Sequence, residues 1–215
     1  MSSSTSCATG STASASAAGG SDSAMARSAN PENRDRIVRT TRDLIRRNGV
    51  PGTTMLEVVK ASGGSRGSLY HYFPGGRTEM VADAVRSAID EYTAGIEYLA
   101  TLPSVDAIPL MVEFWRAEAE ASDYTAGCPI AAAALGGTSE PIPRQLAGDA
   151  FATWTDTLTR MLTNDGVPDE RARPLATLAL AAIEGAVILS LARKSSEPME
   201  LVATQLVSLV EAARA

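Results

Sequence analysis

From Asn30 onward the apolar positions recur three and four residues apart, and no useful run alternates apolar with polar. The pattern predicts helices and no sheet. Ile37, Val38, Thr41, Leu44 and Ile45 share one face of a first helix. Asn30-Pro31-Glu32 supplies its start: an N-cap side chain, a proline that needs no amide in the first turn, and an acid at the positive end of the helix dipole. Asn48-Gly49 stops it, the glycine being suited to a left-handed C-cap. A second helix is predicted from Thr54, which stands before Glu57 in a capping-box arrangement, with Met55, Val58 and Val59 facing inward. Ser62-Gly63-Gly64 breaks it. Ser65 caps a third short helix, Arg66 to Phe73, with Leu69 and Phe73 on the core side, and Pro74-Gly75-Gly76 ends that one.

Longer helices follow. Residues 78–100 carry Met80, Ala84, Val85, Ala88, Ile89, Tyr92, Ile96 and Leu99 at helical spacing. Pro103 or Pro109 delimits the next, through Leu110, Met111, Phe114 and Trp115 toward Ala121. The segment 127–136, GCPIAAAALG, reads as a short buried helix because of its alanines. Arg144 to Thr163 is amphipathic around Leu146, Ala150, Trp154, Leu158, Met161 and Leu162. Pro168 opens a helix toward Lys194, within which Pro174 demands an early-turn position or a kink, and Pro198 opens a last helix ending near Glu211. The fold class expected is all-α: an N-terminal three-helix bundle over 30–77 and a larger helical domain over 78–215. Residues 1–24 are almost entirely Ser, Thr, Ala and Gly; they cannot bury enough apolar surface to offset ordering, so a disordered tail is expected over 1–29.

Composition adds the compartment. The chain has 215 residues, 45% apolar and 20% charged, with two cysteines, Cys7 and Cys128, so no disulfide framework is expected. No stretch approaches ~20 continuous apolar residues and the opening lacks a basic and a leucine-rich region, so neither a membrane span nor a signal peptide is expected. A cytoplasmic protein follows.

Net charge hides an asymmetry. The total is −6, yet Met25 to Met80 holds ten Lys/Arg against five acids, a net of +5, whereas Val81–Ala215 holds nine basic against nineteen acidic residues. A basic module joined to an acidic one points to a polyanionic partner at one end.

Two short helices joined by a tight glycine turn inside that basic stretch form a helix-turn-helix pattern, whose second helix can enter the major groove of DNA. Thr53 through Arg77, TTMLEVVKASGGSRGSLYHYFPGGR, resembles the N-terminal signature of the TetR family of transcriptional repressors. The matching parts are Gly49, Thr53/Thr54, Ser62-Gly63-Gly64, Ser65, Leu69-Tyr70-His71-Tyr72-Phe73 and Arg77. Ala126-Gly127-Cys128-Pro129-Ile130 and the doubled glycine of FPGGR are similar to the LmrA/YxaF-like branch, whose members answer small apolar or aromatic molecules and control efflux or detoxification genes. Gly64 departs from the family pattern, where a valine often packs between the two helices. The change costs about 1 kcal/mol or more in backbone entropy and lost contact and leaves a looser head.

The DNA-contacting candidates each have a reason. Arg66, at the start of the recognition helix, can pair bidentately with guanine O6 and N7, and otherwise with phosphate. Gly67 admits close backbone approach; Ser65, Ser68 and His71 lie toward the groove. Tyr70 and Tyr72 can donate phenolic hydrogen bonds to phosphate, though Tyr72 reads equally as ordinary packing. Thr53 and Thr54 join the free amides of the second helix N-terminus in a phosphate site. Lys60 and Arg77 suit nonspecific backbone contact. His71 is the only histidine, so no metal cluster or catalytic dyad is expected. No phosphate loop or nucleophile elbow suggests an enzyme.

One short recognition helix reads few base pairs, so a homodimer on a near-palindromic duplex operator is expected. The small residues of Ala172–Leu191 (Ala176, Ala179, Ala181, Ala182, Gly185, Ala186) and the segment Leu201–Val210, with Leu201, Leu206, Leu209 and Val210, are the candidate dimer surface. Met111, Phe114, Trp115, Tyr124, Cys128, Ile130, Phe151 and Trp154 are candidates for an inducer cavity, against ordinary core packing. Nothing near Cys128 in sequence would lower its pKa, which favours an inert buried thiol. The function expected is a dimeric repressor released by a small, largely apolar or aromatic inducer. The surplus acid of the larger half favours a cationic or neutral inducer over an anionic one. The alternatives are an activator or partner-dependent regulator of the same fold, or a helical scaffold without DNA activity.

Overall fold

The computed structural model describes residues 31–136 and 141–214; the expected tail over 1–29 and the cap Asn30 lie outside the described residues. All regular structure among the described residues is helical. Three elements come first, α1 (Pro31–Gly52) and the short α2 (Met55–Ser62) and α3 (Arg66–Tyr72). Six more follow: α4 (Gly76–Leu99), α5 (Ser104–Ala121), α6 (Pro129–Ala134), α7 (Pro141–Asn164), α8 (Asp169–Arg193) and α9 (Glu197–Arg214). The all-α class expected from periodicity is the class observed.

The punctuation works as its chemistry requires. Helical dihedrals in α1 fail at Gly49 (φ 71°, ψ 172°), and Val50–Gly52 form a separate turn. Thr54 caps α2 in a complete capping box: Glu57 N donates to Thr54 Oγ1 at 3.2 Å, and Thr54 N donates to Glu57 Oε2 at 2.9 Å. Gly63 closes α2 at φ 67°, and Ser65 Oγ accepts from Ser68 N at 3.1 Å to open α3. Ile37, Ile45, Val50, Val58, Leu69 and Phe73 are fully buried between these helices and α4, each contributing roughly 1.5–3 kcal/mol of burial. The Arg34 guanidinium lies 5.2 Å above the Phe73 ring and pairs with Asp83 of α4.

In the larger half α7 packs on α4 and α8, α9 packs on α5 and α8, and α6 sits against α1, α4 and α7. Ser104 N donates to Asp165 Oδ2 at 2.8 Å, and Arg214 pairs with the same carboxylate. The start of α5, the α7–α8 turn and the end of α9 are thereby fastened together. Pro103 stands just before α5, whereas Pro109 lies inside it and Pro174 inside α8. Each interior proline forfeits one intrahelical hydrogen bond beyond the first turn, and the tertiary packing carries both helices through.

Among the described residues α8 is long and apolar enough, by composition, to cross a membrane, a feature that a search for continuous apolar runs passes over. One face of it, with Ala172, Leu175, Ala176, Ile183, Ala186, Val187 and Ser190, is buried within the molecule, while Leu178, Ile188 and Leu189 are exposed on another.

Candidate nucleic-acid interface and ligand cavity

α2 and α3 meet through the left-handed Gly63, and Leu69 is pinned in the core, so the opposite side of α3 faces outward. Arg66, Gly67, Tyr70 and His71 are exposed there, with Tyr70 57% accessible. A β-carbon at Gly67 would meet nothing closer than Ser65 Oγ at 3.8 Å, so the chain itself places no steric demand for glycine at that position. Ser65 is exposed and Ser68 half-buried, their hydroxyls 3.1 Å apart in the cap. Tyr72 is half-buried with its ring edge-to-face on His71, at 5.3 Å between centroids. Lys60 is exposed in the last turn of α2.

Three candidates sit differently from their sequence reading. Thr53 is completely buried, its hydroxyl donating to Gly49 O at 2.8 Å, so it shapes the α1–α2 corner and offers no oxygen to solvent. Thr54 is exposed, but its hydroxyl donates to Glu57 Oε2 at 3.0 Å inside the capping box. Arg77 turns inward: Nε donates to Thr53 O at 2.7 Å and Nη2 to Val50 O, satisfying carbonyls where α1 has already broken. The spacing that put a basic residue after the break could not show that two carbonyls of the α1–α2 corner would claim it.

At Gly64 a β-carbon would stand 3.7 Å from Leu69 Cδ1 and 3.3 Å from Ser62 Oγ, so the gap left by the missing side chain faces the α2–α3 contact. Several basic residues of the head are also spent internally. Arg34, Arg42 and Arg46 pair with Asp83, Glu91 and Glu118 of the acidic half. The positive charge available to a polyanion is therefore smaller than the sequence sum, and part of the charge asymmetry holds head to body.

The larger half contains a cavity of about 240 Å³ between α4, α5, α7 and α8. Met111, Phe114, Trp115 and Trp154, four of the inducer candidates, line it together. Tyr92 joins them at the centre of an aromatic cluster, with ring centroids 5.5 Å from Trp115, 5.9 Å from Phe114 and 6.4 Å from Trp154. Burial pushes the Tyr92 phenol well above its ordinary pKa, and Trp154 Nε1 donates to Thr93 Oγ1 at 2.8 Å. The other candidates lie off the wall. Phe151 buttresses Trp154 edge-to-face at 5.6 Å, Ile130 is fully buried core, and Tyr124 occupies the turn after α5 with φ 55°.

Cys128 stands behind the wall as the N-cap of α6, its sulfur accepting from Ala131 N at 3.4 Å. Burial, then the neighbouring Glu184 carboxylate, raise its pKa, as expected of an inert thiol. Glu184 was not among the sequence candidates. It is the one charged residue between Arg173 and Arg193, and this interruption of an apolar run was the available signal. Glu184 lines the cavity, burial raises its pKa, and Cys128 donates to its carboxylate while Oε2 has no partner. Among the described residues no group of His, Cys, Asp and Glu could hold a metal ion.

The segment leading into α6 is bonded to α1 of the head. Gly127 N donates to Arg46 O at 3.0 Å, and Arg46 Nε returns a bond to Gly127 O at 3.0 Å, while Arg46 Nη2 lies 2.6 Å from Glu118.

Comparison with known proteins agrees at both ends. Residues 37–84 match the model of bacterial regulatory proteins of the tetR family, and residues 104–205 match the C-terminal domain of LmrA/YxaF-like transcriptional regulators. An uncharacterised HTH-type transcriptional regulator of Mycobacterium tuberculosis strain H37Rv is 36% identical over 82% of this chain and 93% of its own length. YxaF of Bacillus subtilis, an uncharacterised regulator of the same type, is 31% identical over 83% of this chain and 95% of its own. A regulator crystal structure from Chloroflexus aurantiacus superposes with a TM-score of 0.71 at 24% identity, covering 84% of this chain and 95% of that one.

Proposed function

The chain belongs to the TetR family of DNA-binding regulators, and from that premise we propose that it is a cytoplasmic, dimeric transcriptional repressor released from its operator by a small, largely apolar or aromatic inducer. Residues 30–77 serve as the DNA-binding head and 78–215 as the ligand-binding and dimerisation domain. The observation that carries the reading is one chain holding both an outward-facing α3, with Arg66, Tyr70 and His71 exposed, and an aromatic cavity in a larger half whose Gly127 is bonded to Arg46 of α1 in the head. On DNA, Arg66 reads a base edge, Gly67 lets the backbone approach, and Ser68, Tyr70, His71 and Tyr72 hold sugar and phosphate. Lys60 and the amides behind Thr54 add backbone contacts, while Thr53 and Arg77 keep the α1–α2 corner in shape.

The second protomer covers α8 and α9. Leu178, Ile188 and Leu189 of α8 and Leu201 and Leu209 of α9 are exposed, 42–59% accessible, on helices whose other faces are buried. Ala172, Ala176, Ala186, Leu206 and Val210, drawn into the dimer surface by the sequence, instead pack within the chain's own core. The apolar stripe between two such helices suits a four-helix contact. An inducer in the cavity then favours a different separation of the two heads and weakens operator binding by linkage.

The test is a binding selection from randomised duplexes at near-physiological salt. An enriched near-palindrome is expected, and Arg66→Ala should lose about 1–3 kcal/mol of discrimination at one position per half-site. Absence of any binding even at low salt would end the regulator reading.

A further inference from the structure

The cavity wall carries two charged residues, Glu91 and Glu184, both acidic, and no lysine or arginine. They are not equivalent. Glu91 is exposed and paired with Arg42, so its charge is answered. Glu184 is set into the wall on α8, and its Oε2 has no hydrogen-bond partner. The thiol of Cys128, a weak donor, supplies no counter-charge. A carboxylate in such surroundings is held at a cost unless a cation or strong donor reaches it. The remainder of the wall is aromatic and aliphatic, and the faces of Tyr92, Trp115 and Trp154 also attract positive charge.

Building on the reading of this cavity as the inducer site, we infer that its ligand is a lipophilic aromatic cation whose charged nitrogen is received by Glu184. The aromatic cage supplies contact area and the acid supplies selection. A neutral molecule of the same shape leaves the carboxylate unanswered, and an anion is repelled by it. Both tryptophans of the chain lie on this wall, so intrinsic fluorescence reports occupancy directly.

The experiment titrates the full-length protein, without DNA, with three planar probes of similar size: aminoacridine, cationic at neutral pH, its neutral parent acridine, and the anion anthracene carboxylate. Tryptophan quenching and calorimetry give the affinities. Aminoacridine is expected to bind at least about tenfold tighter than acridine, with the anion weakest. Glu184→Gln, which keeps the size and can still accept from Cys128, should reduce that preference to less than about threefold while leaving acridine affinity in place. Its retained acridine binding confirms that the site is folded. Equal binding of cation and neutral parent, or an unchanged preference in Glu184→Gln, overturns the inference and leaves the cavity reading standing. Failure of all three probes to bind overturns the cavity reading as well.

Discussion

Gly67 lets the demand of the fold be told apart from the proposed approach of DNA. Its position in the first turn of α3 has room for a side chain, since the nearest atom to a β-carbon is 3.8 Å away. Gly67→Ala should therefore stabilise the protein by about 0.5–1 kcal/mol in urea unfolding, through helix propensity, while weakening operator binding. Unimpaired binding would show that no duplex backbone approaches at this point. Glu184 gives the second residue-scale test. Its pKa is raised in the folded state, first by burial, so the folded protein holds this proton at pH values where the unfolded chain has released it. The acid therefore lowers stability as pH rises from the ordinary carboxylate value of 4.5 through the folded value, and the loss persists above it. Glu184→Gln should match the parent at low pH and exceed it increasingly toward neutrality in thermal melts. A constant difference across pH would mean that the carboxylate finds its counter-charge in the folded protein.

At the scale of elements, the short α6 lies between α1 of the head and the α4 and α7 helices that wall the cavity. Six residues cannot hold a helix in water by their own hydrogen bonds, so α6 exists because Cys128 caps it and α1, α4 and α7 pack around it. Arg46 of α1 ties the segment just before it to the head through a reciprocal pair of bonds with Gly127, and also pairs with Glu118 of α5. Arg46→Ala removes two of those three links; the Glu118 side chain is about a third exposed, so screening limits the ion pair's share. A loss of about 1–3 kcal/mol is expected on unfolding, mostly from the half-buried bond to Gly127 O. Ligand affinity should be kept while ligand-driven release from DNA weakens. An exposed pair such as Arg86–Asp83 should show almost no stability effect when Arg86 is replaced by Ala. If release stays intact in Arg46→Ala, coupling runs through the α1–α4 contact instead.

For the whole molecule the decisive quantity is the oligomeric state. Leu189 is 54% accessible near the C-terminal end of the apolar stripe on α8. Leu189→Glu on both protomers would bury two like charges at the two-fold contact, so light scattering should report half the parent mass with helicity unchanged. Operator affinity should fall with it, because a single head reads one half-site. A dimer that survives this change places the interface elsewhere. The distribution of charge belongs to this scale too: Arg34, Arg42 and Arg46 bind the head to the acidic half, so the positive charge left for a polyanion is smaller than the sequence sum.

The helices, their order and the caps at Thr54 and Ser65 were legible in the sequence because they depend on neighbours within one turn: Thr54 with Glu57, Ser65 with Ser68, and the break at Gly49. The sequence by itself also determined the family, whose signature is local in the same sense. Tertiary structure decided which of the marked residues keep a free surface. Thr53 and Arg77 look alike to Thr54 and Lys60 in a string of letters, yet the corner between α1 and α2 buries one and engages the other. It decided that Met111, Phe114, Trp115 and Trp154 enclose one cavity while Tyr124, Cys128 and Phe151 stand off its wall. It also brought Glu184 of α8 against Cys128 of α6. The reason is physical: capping and periodicity are settled over a few residues, whereas burial, counter-charge and cavity shape depend on residues that are distant along the chain and meet only when the helices pack.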